Sequence, residues 1–148
     1  MEYINRLSCE FEARSANEGL ARTIVAAFAV TLDPTLEELD DLRTAVSEAV
    51  TNSIIHGYNQ ECCPENLVYL DCVLYEDRIS VTVTDKGCGI ADLNQAMQPM
   101  YTSAPDMERS GMGFTVMETF TDRLNVKSRP GEGTSVTMIK IFSGKNKE

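Results

Sequence analysis

Glu48-Ala-Val-Thr-Asn52-Ser-Ile-Ile-His56-Gly57 is the stretch that decides the fold, because its polar residues recur at every fourth position. Four residues advance an α-helix by just over one turn, so Glu48, Asn52 and His56 share one stripe of a helix. Apolar residues fill positions around this stripe and can face a core: Val46, Val50, Ile54 and Ile55. The stretch therefore predicts an amphipathic helix with one polar stripe.

The stripe combines two side chains that can act together on a phosphate. The Glu48 carboxylate provides a base or a water-orienting oxygen, and the Asn52 carboxamide one turn away provides a hard oxygen ligand for Mg²⁺. An ordinary helix with solvated polar positions has the same spacing. The stripe alone therefore leaves both interpretations open.

A second motif, Asp85-Lys-Gly87-Cys-Gly89-Ile90, follows a strand-like run that ends in Thr82-Val-Thr. Glycines at alternate positions let the backbone approach a flat ligand closely. An ionised carboxylate accepts a hydrogen bond from an exocyclic amine such as that of adenine. A tight turn without any ligand is the alternative interpretation of the same residues.

Two further glycine-rich segments complete the pattern. Arg109-Ser110-Gly111-Met-Gly113-Phe114 opens a helical pattern, and the amides at such a helix start can bind phosphate beside the arginine. Gly131-Glu-Gly133-Thr134 places a small hydroxyl at the entrance of a strand. Taken alone, the first segment also fits a flexible linker and the second fits a hairpin.

In this order the four motifs resemble the Bergerat-fold superfamily of ATPases and kinases, which contains gyrase, Hsp90, histidine kinases and MutL. The helical stretch matches its N box, and the glycine motifs match its glycine boxes. The resemblance implies an α+β two-layer sandwich, in which a mixed, mostly antiparallel sheet carries helices on one face. It also implies an ATP lid over about residues 92–112. Because it covers nearly the whole chain, residues 1–148 are expected to form a single domain.

More narrowly, the chain is similar to the anti-sigma F factor family of endospore-forming bacteria. The similarity is carried by Ser47 to Tyr58, Glu108 to Phe114 and Leu32-Asp-Pro34. It implies a serine-protein kinase that holds a sporulation sigma factor, sigma F, inactive and phosphorylates an anti-anti-sigma protein. ATP or ADP and Mg²⁺ are the implied ligands, and the family is homodimeric. The resemblance also favours a partner-docking role for Glu18 and Arg22, which otherwise form an ordinary exposed ion pair.

The resemblance and the side-chain chemistry together give the candidate site residues their roles. Glu48 is the expected catalytic base for the serine hydroxyl, and Arg109 is expected to neutralise the γ-phosphate. Asn52 is the expected Mg²⁺ ligand. Asp85 is expected to bind the adenine amine, with help from Thr134 through water. The other expected cofactor-binding residues are His56, Gly87, Gly89, Ser110, Gly111 and Gly113.

His56 is the only histidine of the chain. Its place near the end of the helix favours a contact with phosphate or with the helix end over a role as phosphoacceptor. One departure from the family concerns the lid, where Ala104 stands before Pro105 in place of a basic residue. Arg109 is therefore expected to do more of the phosphate work.

The composition suits one compact domain, since 148 residues with 43% hydrophobic content can bury roughly two-thirds of the unfolded surface. No apolar run approaches ~18 residues and the N-terminus lacks a signal-peptide core, so we expect a cytoplasmic protein without membrane contact. The five cysteines form no C-x-x-C pair, which argues against a disulfide framework and a zinc site. Vicinal Cys62 and Cys63 are expected to be a loop coincidence, and Cys88 a buried, inert thiol.

The formal net charge of -10 opposes the phosphate backbone of nucleic acids, and no basic cluster offsets it. We therefore expect no direct binding to nucleic acid. An acidic surface favours a basic protein partner instead, and opposite charge would speed that encounter.

The order of elements follows from periodicity and turn residues. Ser15 and Thr35 have the pattern of helix caps, and the second helix is expected to continue to Gly57. The predicted elements are a strand over 3–11, a helix to about Thr31, a helix from Thr35 to Gly57, a hairpin of Leu67–Tyr75 and Arg78–Thr84, a helix through Phe120, strands Arg123–Ser128 and Thr134–Phe142, and a frayed tail from Gly144.

Two alternatives stay open at this point. A stress-response anti-sigma kinase of the same family would share the chemistry and differ in its sigma partner. A nucleotide-gated module without catalysis, or an ATPase without a protein substrate, would retain the nucleotide contacts alone. The presence of Glu48 argues against a module that only binds.

Overall fold

A computed structural model of the chain describes residues 2–59, 64–90, 97 and 113–143. These residues form a two-layer α+β sandwich, as predicted. In chain order the elements are β1 (Asn5–Glu12), α1 (Ala16–Ala29), a 3₁₀ turn (Val30–Leu32), α2 (Leu36–Asn52), a π turn (Ser53–Gly57), β2 (Leu67–Leu74), β3 (Arg78–Asp85), α3 (Gly113–Phe120), β4 (Arg123–Arg129) and β5 (Gly133–Ile141).

The five described strands form one sheet in the order β1-β2-β3-β5-β4. Every neighbouring pair in this sheet is antiparallel, so the parallel component of the expected mixed sheet is not found among the described strands. The connection from β1 to β2 explains why. It contains two helices, α1 and α2. When successive elements alternate in direction, a connection of two helices makes the second strand antiparallel to the first, whereas a connection of one helix makes it parallel.

Alternation along the strands separates a buried face of the sheet from a polar one. In β3 the buried residues are Ile79, Val81, Val83 and Asp85. Their partners across β2 are also buried, with Leu70 opposite Val83. Apolar residues of α1, α2 and α3 join the same core, which places these helices on one face of the sheet. Because Asp85 is in phase with the apolar residues, its carboxylate lies on the inner face at the end of β3.

The N-terminus of α2 has the predicted cap. The Glu38 amide donates to Thr35 Oγ1 over 3.1 Å, and the Thr35 amide donates to Glu38 Oε1 over 2.9 Å. This is a reciprocal capping box, which satisfies two amides that have no partner inside the helix.

The side-chain cap predicted at Ser15 is wrong. Ser15 precedes α1, but its backbone is already helical at φ -54 and ψ -35, and its side chain makes no capping hydrogen bond. An N-cap side chain reaches back to the first turn from an extended backbone. Near this end of the helix, the Asn17 side chain donates instead to the carbonyl of Glu12 over 2.9 Å.

The prediction that α2 continues unchanged to Gly57 is also wrong. The α-helix ends at Asn52, and Ser53–Gly57 form a π turn. The Tyr58 amide donates to the carbonyl of Ser53 over 3.0 Å, which is the wider ring of a π turn. Such turns are frequent at functional sites. The π turn therefore indicates a functional site at the end of α2.

The predicted hairpin of β2 and β3 is confirmed, and the Tyr75 amide donates to the carbonyl of Arg78 across its turn over 2.8 Å. Strands β4 and β5 are likewise present within a residue of the predicted bounds. The expected lid over about residues 92–112, apart from Met97, and the expected tail from Gly144 lie outside the described residues. No helix in the described part of the chain is long and apolar enough to cross a membrane.

Candidate functional site

The centre of the candidate site is the carboxylate of Asp85, of which only 3% is exposed. The Gly87 amide donates to Asp85 Oδ1 over 3.0 Å. The carboxylate also accepts hydrogen bonds from the Ser53 side chain and from the backbone of Thr134. Burial raises the pKa of Asp85 above its ordinary value, and these three donors offset part of that rise. The carboxylate is thus held by donors from three separate segments.

Gly57 and Gly87 bring the end of the π turn against the glycine turn after β3. A Cβ atom on Gly57 would lie 2.8 Å from the Asp85 carboxyl carbon, and one on Gly87 would lie 2.0 Å from the Gly57 carbonyl oxygen. The Cys88 amide donates to this same oxygen over 2.9 Å. Real side chains do not fit at such distances, so glycine at both positions lets the two backbones touch.

Gly89 brings the same turn against the connection between β4 and β5. Its φ of +75° is one that side-chain-bearing residues rarely adopt, and a Cβ atom there would lie 2.0 Å from the Arg129 carbonyl oxygen. The Gly131 amide donates to the carbonyl of Cys88 over 2.6 Å, and the Ile90 amide donates to Ser128 Oγ over 2.7 Å. The turn after β3 is therefore fixed on both sides.

Thr134 enters the site as the partner of Asp85 in the register of β3 and β5. Its hydroxyl lies 2.8 Å from Ser128 Oγ, and Ser128 Oγ donates to the carbonyl of Gly133 over 3.0 Å. A Cβ atom on Gly133 would lie 2.1 Å from the Asp85 carbonyl oxygen. The structure thus brings Asp85, Gly87, Gly89 and Thr134 together, as the sequence predicted.

A cavity of about 610 Å³ lies at this end of the sheet. Its lining includes Asp85, Ser128, Gly133 and Thr134, with the basic side chains of Lys127 and Arg129. Thr84, Lys127 and Ser135 also line it and lie on the polar face of the sheet, so the cavity opens largely on the side opposite the buried core.

The predicted polar stripe leads from α2 towards this end of the sheet. Glu48 and Asn52 lie on α2 and His56 lies in the π turn, and all three are partly exposed. The carbonyl of His56 accepts from Cys88 Sγ over 3.0 Å, which joins the end of the stripe to the glycine turn. Cys88 is exposed, so the expectation of a buried thiol at this position is wrong.

The predicted pair on α1 is present and also contacts α2. Arg22 Nη1 lies 3.6 Å from Glu18 Oε1. Glu18 also accepts a hydrogen bond from the Ser47 hydroxyl, and its side chain is only 22% exposed. The alternative of a simple exposed ion pair therefore does not describe Glu18, because its carboxylate is bound to the residue before Glu48.

Arg109, Ser110 and Gly111 lie outside the described residues, as do Cys62, Cys63 and Ala104. Gly113 is described and is buried at the first position of α3.

Three residues that sequence reasoning missed also build the site: Ser53, Tyr58 and Ser128. The Tyr58 hydroxyl accepts from the Lys86 amide over 2.7 Å and donates to the carbonyl of Leu67 over 2.7 Å. It therefore ties the π turn to the start of β2 and the end of β3. Only Tyr58 had a local signal in the sequence, its position directly after Gly57.

Within the described ranges, no group of three or more His, Cys, Asp or Glu side chains is placed to hold a metal ion. A divalent ion that depends on one carboxamide and on ligand phosphates does not require such a group. The partly exposed Asn52 fits that arrangement. The buried acceptor of Asp85 likewise fits a base that carries an amino group.

Residues 11–140 match the family described as the histidine kinase-like ATPase domain. An anti-sigma F factor of Clostridium beijerinckii is 55% identical over 140 residues, which cover 94% of this chain and 96% of that protein. An anti-sigma F factor of Oceanobacillus iheyensis is 52% identical over 139 residues, with 94% of each chain covered. One from a Thermoanaerobacter strain is 50% identical over 142 residues, covering 96% of this chain and 97% of that protein.

A solved structure of the RsbU and RsbW domains of a Mycobacterium tuberculosis protein is similar with a TM-score of 0.66. It is 14% identical in sequence, and the match covers 94% of this chain and 33% of that chain. At this identity the likeness supports the fold alone. The family match and the relatives extend over nearly the whole chain, and half or more of the aligned positions are identical. The chain therefore belongs to the anti-sigma F factors, within the family of histidine kinase-like ATPase domains.

Proposed function

We propose that this protein is an anti-sigma factor and a serine-protein kinase. It binds and inhibits a sporulation sigma factor, sigma F, and uses Mg-ATP to phosphorylate a serine of an anti-anti-sigma protein. The names of the relatives support the first part, and the ATPase domain family supports the nucleotide. The observation that carries the kinase proposal is that Ser53, which directly follows Asn52 on the helix of Glu48, donates to the buried carboxylate of Asp85.

Asp85 supplies recognition of the base in this proposal. Its carboxylate accepts a hydrogen bond from the adenine amine. Thr134, next to Asp85, helps to bind the adenine through a water molecule. Because the acceptor is buried, a base with no amino group to donate would leave it without that partner, and unpaired buried groups are costly.

Glu48 takes the proton from the serine hydroxyl of the substrate protein. The serine oxygen forms a new bond to the γ-phosphorus, the bond from that phosphorus to the bridging oxygen breaks, and ADP leaves. Asn52 would be the ligand of the magnesium ion. His56 would contact the phosphates from the end of the stripe. Arg109 neutralises the γ-phosphate, next to the amides of Ser110, Gly111 and Gly113. Magnesium, when bound, neutralises charge on the phosphates.

The partners are proteins in this proposal. The acidic chain, with a formal net charge of -10, suits a basic protein surface and opposes nucleic acid. Glu18 and Arg22 form the docking surface on α1, and the hydrogen bond from Ser47 to Glu18 connects that surface to the helix of Glu48. The protein acts as a homodimer in the cytoplasm.

A phosphotransfer assay with labelled Mg-ATP and a candidate anti-anti-sigma protein tests the proposal. Glu48→Gln is expected to lower transfer by about 10²–10⁴-fold, since that is the usual contribution of a general base. ATP affinity should stay close to that of the wild type. Glu37→Gln is the matched control, because Glu37 is an exposed acid in the first turn of the same helix.

The outcomes separate the remaining interpretations. Transfer to serine that Glu48→Gln abolishes and Glu37→Gln preserves supports the kinase and the base. ATP binding with no transfer contradicts the kinase and leaves a nucleotide-gated binding module. Transfer to the anti-anti-sigma protein of a stress-response system, and not to that of sporulation, contradicts the assignment to sigma F.

A further inference from the structure

The hydrogen bonds of the Asp85 carboxylate leave little acceptor capacity unused. An ionised carboxylate offers about four acceptor positions on its two oxygens. The amide of Gly87, the side chain of Ser53 and the backbone of Thr134 each donate to it. Among the described residues, donors from the glycine turn, the π turn and β5 therefore leave about one position for a ligand.

Ser53 differs from the other two donors because it is a side chain. The amides of Gly87 and Thr134 are fixed by the turn and by the pairing of β3 with β5. Ser53 is the first residue of the π turn and is only 5% exposed, so its hydroxyl has little access to water. A buried hydroxyl with an ionised neighbour makes a stronger hydrogen bond than one between neutral groups.

We infer that Ser53 is a positioning residue for base recognition, which orients the Asp85 carboxylate so that its remaining acceptor faces the amino group of a 6-aminopurine. Without the Ser53 hydroxyl, the carboxylate keeps the two backbone amides as donors in the described part of the chain and loses the donor from the π turn. Rotation of the carboxylate then weakens its hydrogen bond to the amino group. The effect concerns that group alone, and not the phosphates or the sugar.

This inference rests on the proposed function, in which Asp85 binds the adenine amine. It differs from a purely structural role in one measurable respect. If Ser53 only supported the fold, its loss would weaken every nucleotide equally. If it acts through Asp85, its loss weakens a nucleotide with the 6-amino group and spares one that lacks it.

The test compares two nucleotides on the full chain by calorimetry: Mg-ATP and Mg-purine riboside triphosphate, which lacks the 6-amino group. Ser53→Ala is expected to lower the affinity for ATP about tenfold, which corresponds to about 1.4 kcal/mol. The affinity for purine riboside triphosphate is expected to stay within about twofold of the wild type. Ser80→Ala is the matched control. Ser80 lies on the polar face of β3, because its neighbour Val81 lies on the buried face.

An equal loss for both nucleotides, or no loss for either, overturns the inference while wild-type ATP binding still supports the proposed function. A wild-type protein that binds neither nucleotide overturns both. Should Ser53→Ala not fold in thermal unfolding, Ser53→Cys keeps the shape with a weaker donor. That variant is expected to give the same selective loss at a smaller size, and an unselective loss contradicts the inference.

Discussion

The two halves of the candidate site differ in how deeply their side chains are buried. Around Asp85, donors come from the π turn, the glycine turn and β5, and the carboxylate is 3% exposed. Along the stripe of Glu48, Asn52 and His56, the side chains are partly exposed on a single helix and its final turn. We call these halves the base end and the stripe.

The difference agrees with the roles that we propose for the two halves. A group that selects a base gains from a fixed orientation, and burial makes a mismatched ligand costly. Groups that act on a substrate hydroxyl have to be reached by a second protein, so they remain open to solvent. The comparison therefore predicts that substitutions at the base end damage folding and binding, whereas those on the stripe damage chemistry and leave stability nearly unchanged.

The largest effect is expected from Gly89→Ala, which disrupts the contact between the base end and the β4–β5 connection. Its Cβ atom would lie 2.0 Å from the Arg129 carbonyl oxygen, at a φ of +75°. The two costs together should lower the free energy of unfolding by about 3 kcal/mol or more. Urea unfolding followed by circular dichroism measures the change.

Gly131→Ala is the control for this substitution. Gly131 has a similar φ of +77°, but nothing lies within 4 Å of the position of its Cβ atom. Only the conformational cost applies there, about 1–2 kcal/mol. Equal losses for the two variants would show that the contact of Gly89 contributes nothing and that the base end is less fixed than described.

A smaller effect is expected from Asp85→Asn, which keeps the shape of the side chain and removes its charge. ATP affinity at pH 7 should fall by about 10- to 150-fold, since a hydrogen bond to a charged group contributes about 1.5–3 kcal/mol. Isothermal titration calorimetry measures this loss. An unchanged affinity would show that the charge of Asp85 is not used by the nucleotide.

The pH dependence of Asp85 provides an independent check. Burial raises its pKa, so the folded protein holds a proton that the unfolded chain has already released. Between the ordinary pKa and the raised one, this group therefore makes the wild type less stable as pH rises. ATP affinity should weaken on acidification in this same window, at higher pH than for an exposed aspartate. In Asp85→Asn both trends should be absent.

The smallest change in stability is expected from Asn52→Ala on the stripe. Asn52 is partly exposed at the last position of α2, so the free energy of unfolding should change by no more than about 0.5 kcal/mol. The gain in ATP affinity that Mg²⁺ provides should nevertheless fall by at least about tenfold. Loss of a residue that only supports a metal ligand already lowers metal affinity by about tenfold or more, so loss of a ligand should cost at least as much. Titrations with and without Mg²⁺ measure it. A large loss of stability would erase the distinction between the two halves.

Local signals in the sequence were sufficient for much of the fold. The capping box of Thr35 and Glu38 lies within four consecutive residues, and the hairpin of β2 and β3 has its turn residues between two alternating runs. The spacing of Asp85, Gly87 and Gly89 likewise predicted a tight glycine turn at the end of β3, and the structure has that turn. Each of these features depends on neighbours in the chain, which a single sequence contains.

Contacts between distant segments were beyond the same reasoning. The hydrogen bond of Ser53 to Asp85 depends on how the end of α2 meets β3, and the π turn that brings it about has no sequence signature. Ser128 enters the site only through the register of β4 and β5. The prediction for Ser15 failed for a different reason. Its residue type is typical of a helix cap, but its backbone geometry is not.

The hydroxyl of Tyr58 has a consequence for how the base end opens. The Lys86 amide follows the last residue of β3 and donates to this side chain, over 2.7 Å. Exchange of that amide with deuterium then requires separation of Tyr58 from β3, and not merely fraying of a strand end. A single amide signal in a native-state exchange spectrum therefore reports how often the π turn detaches from the sheet.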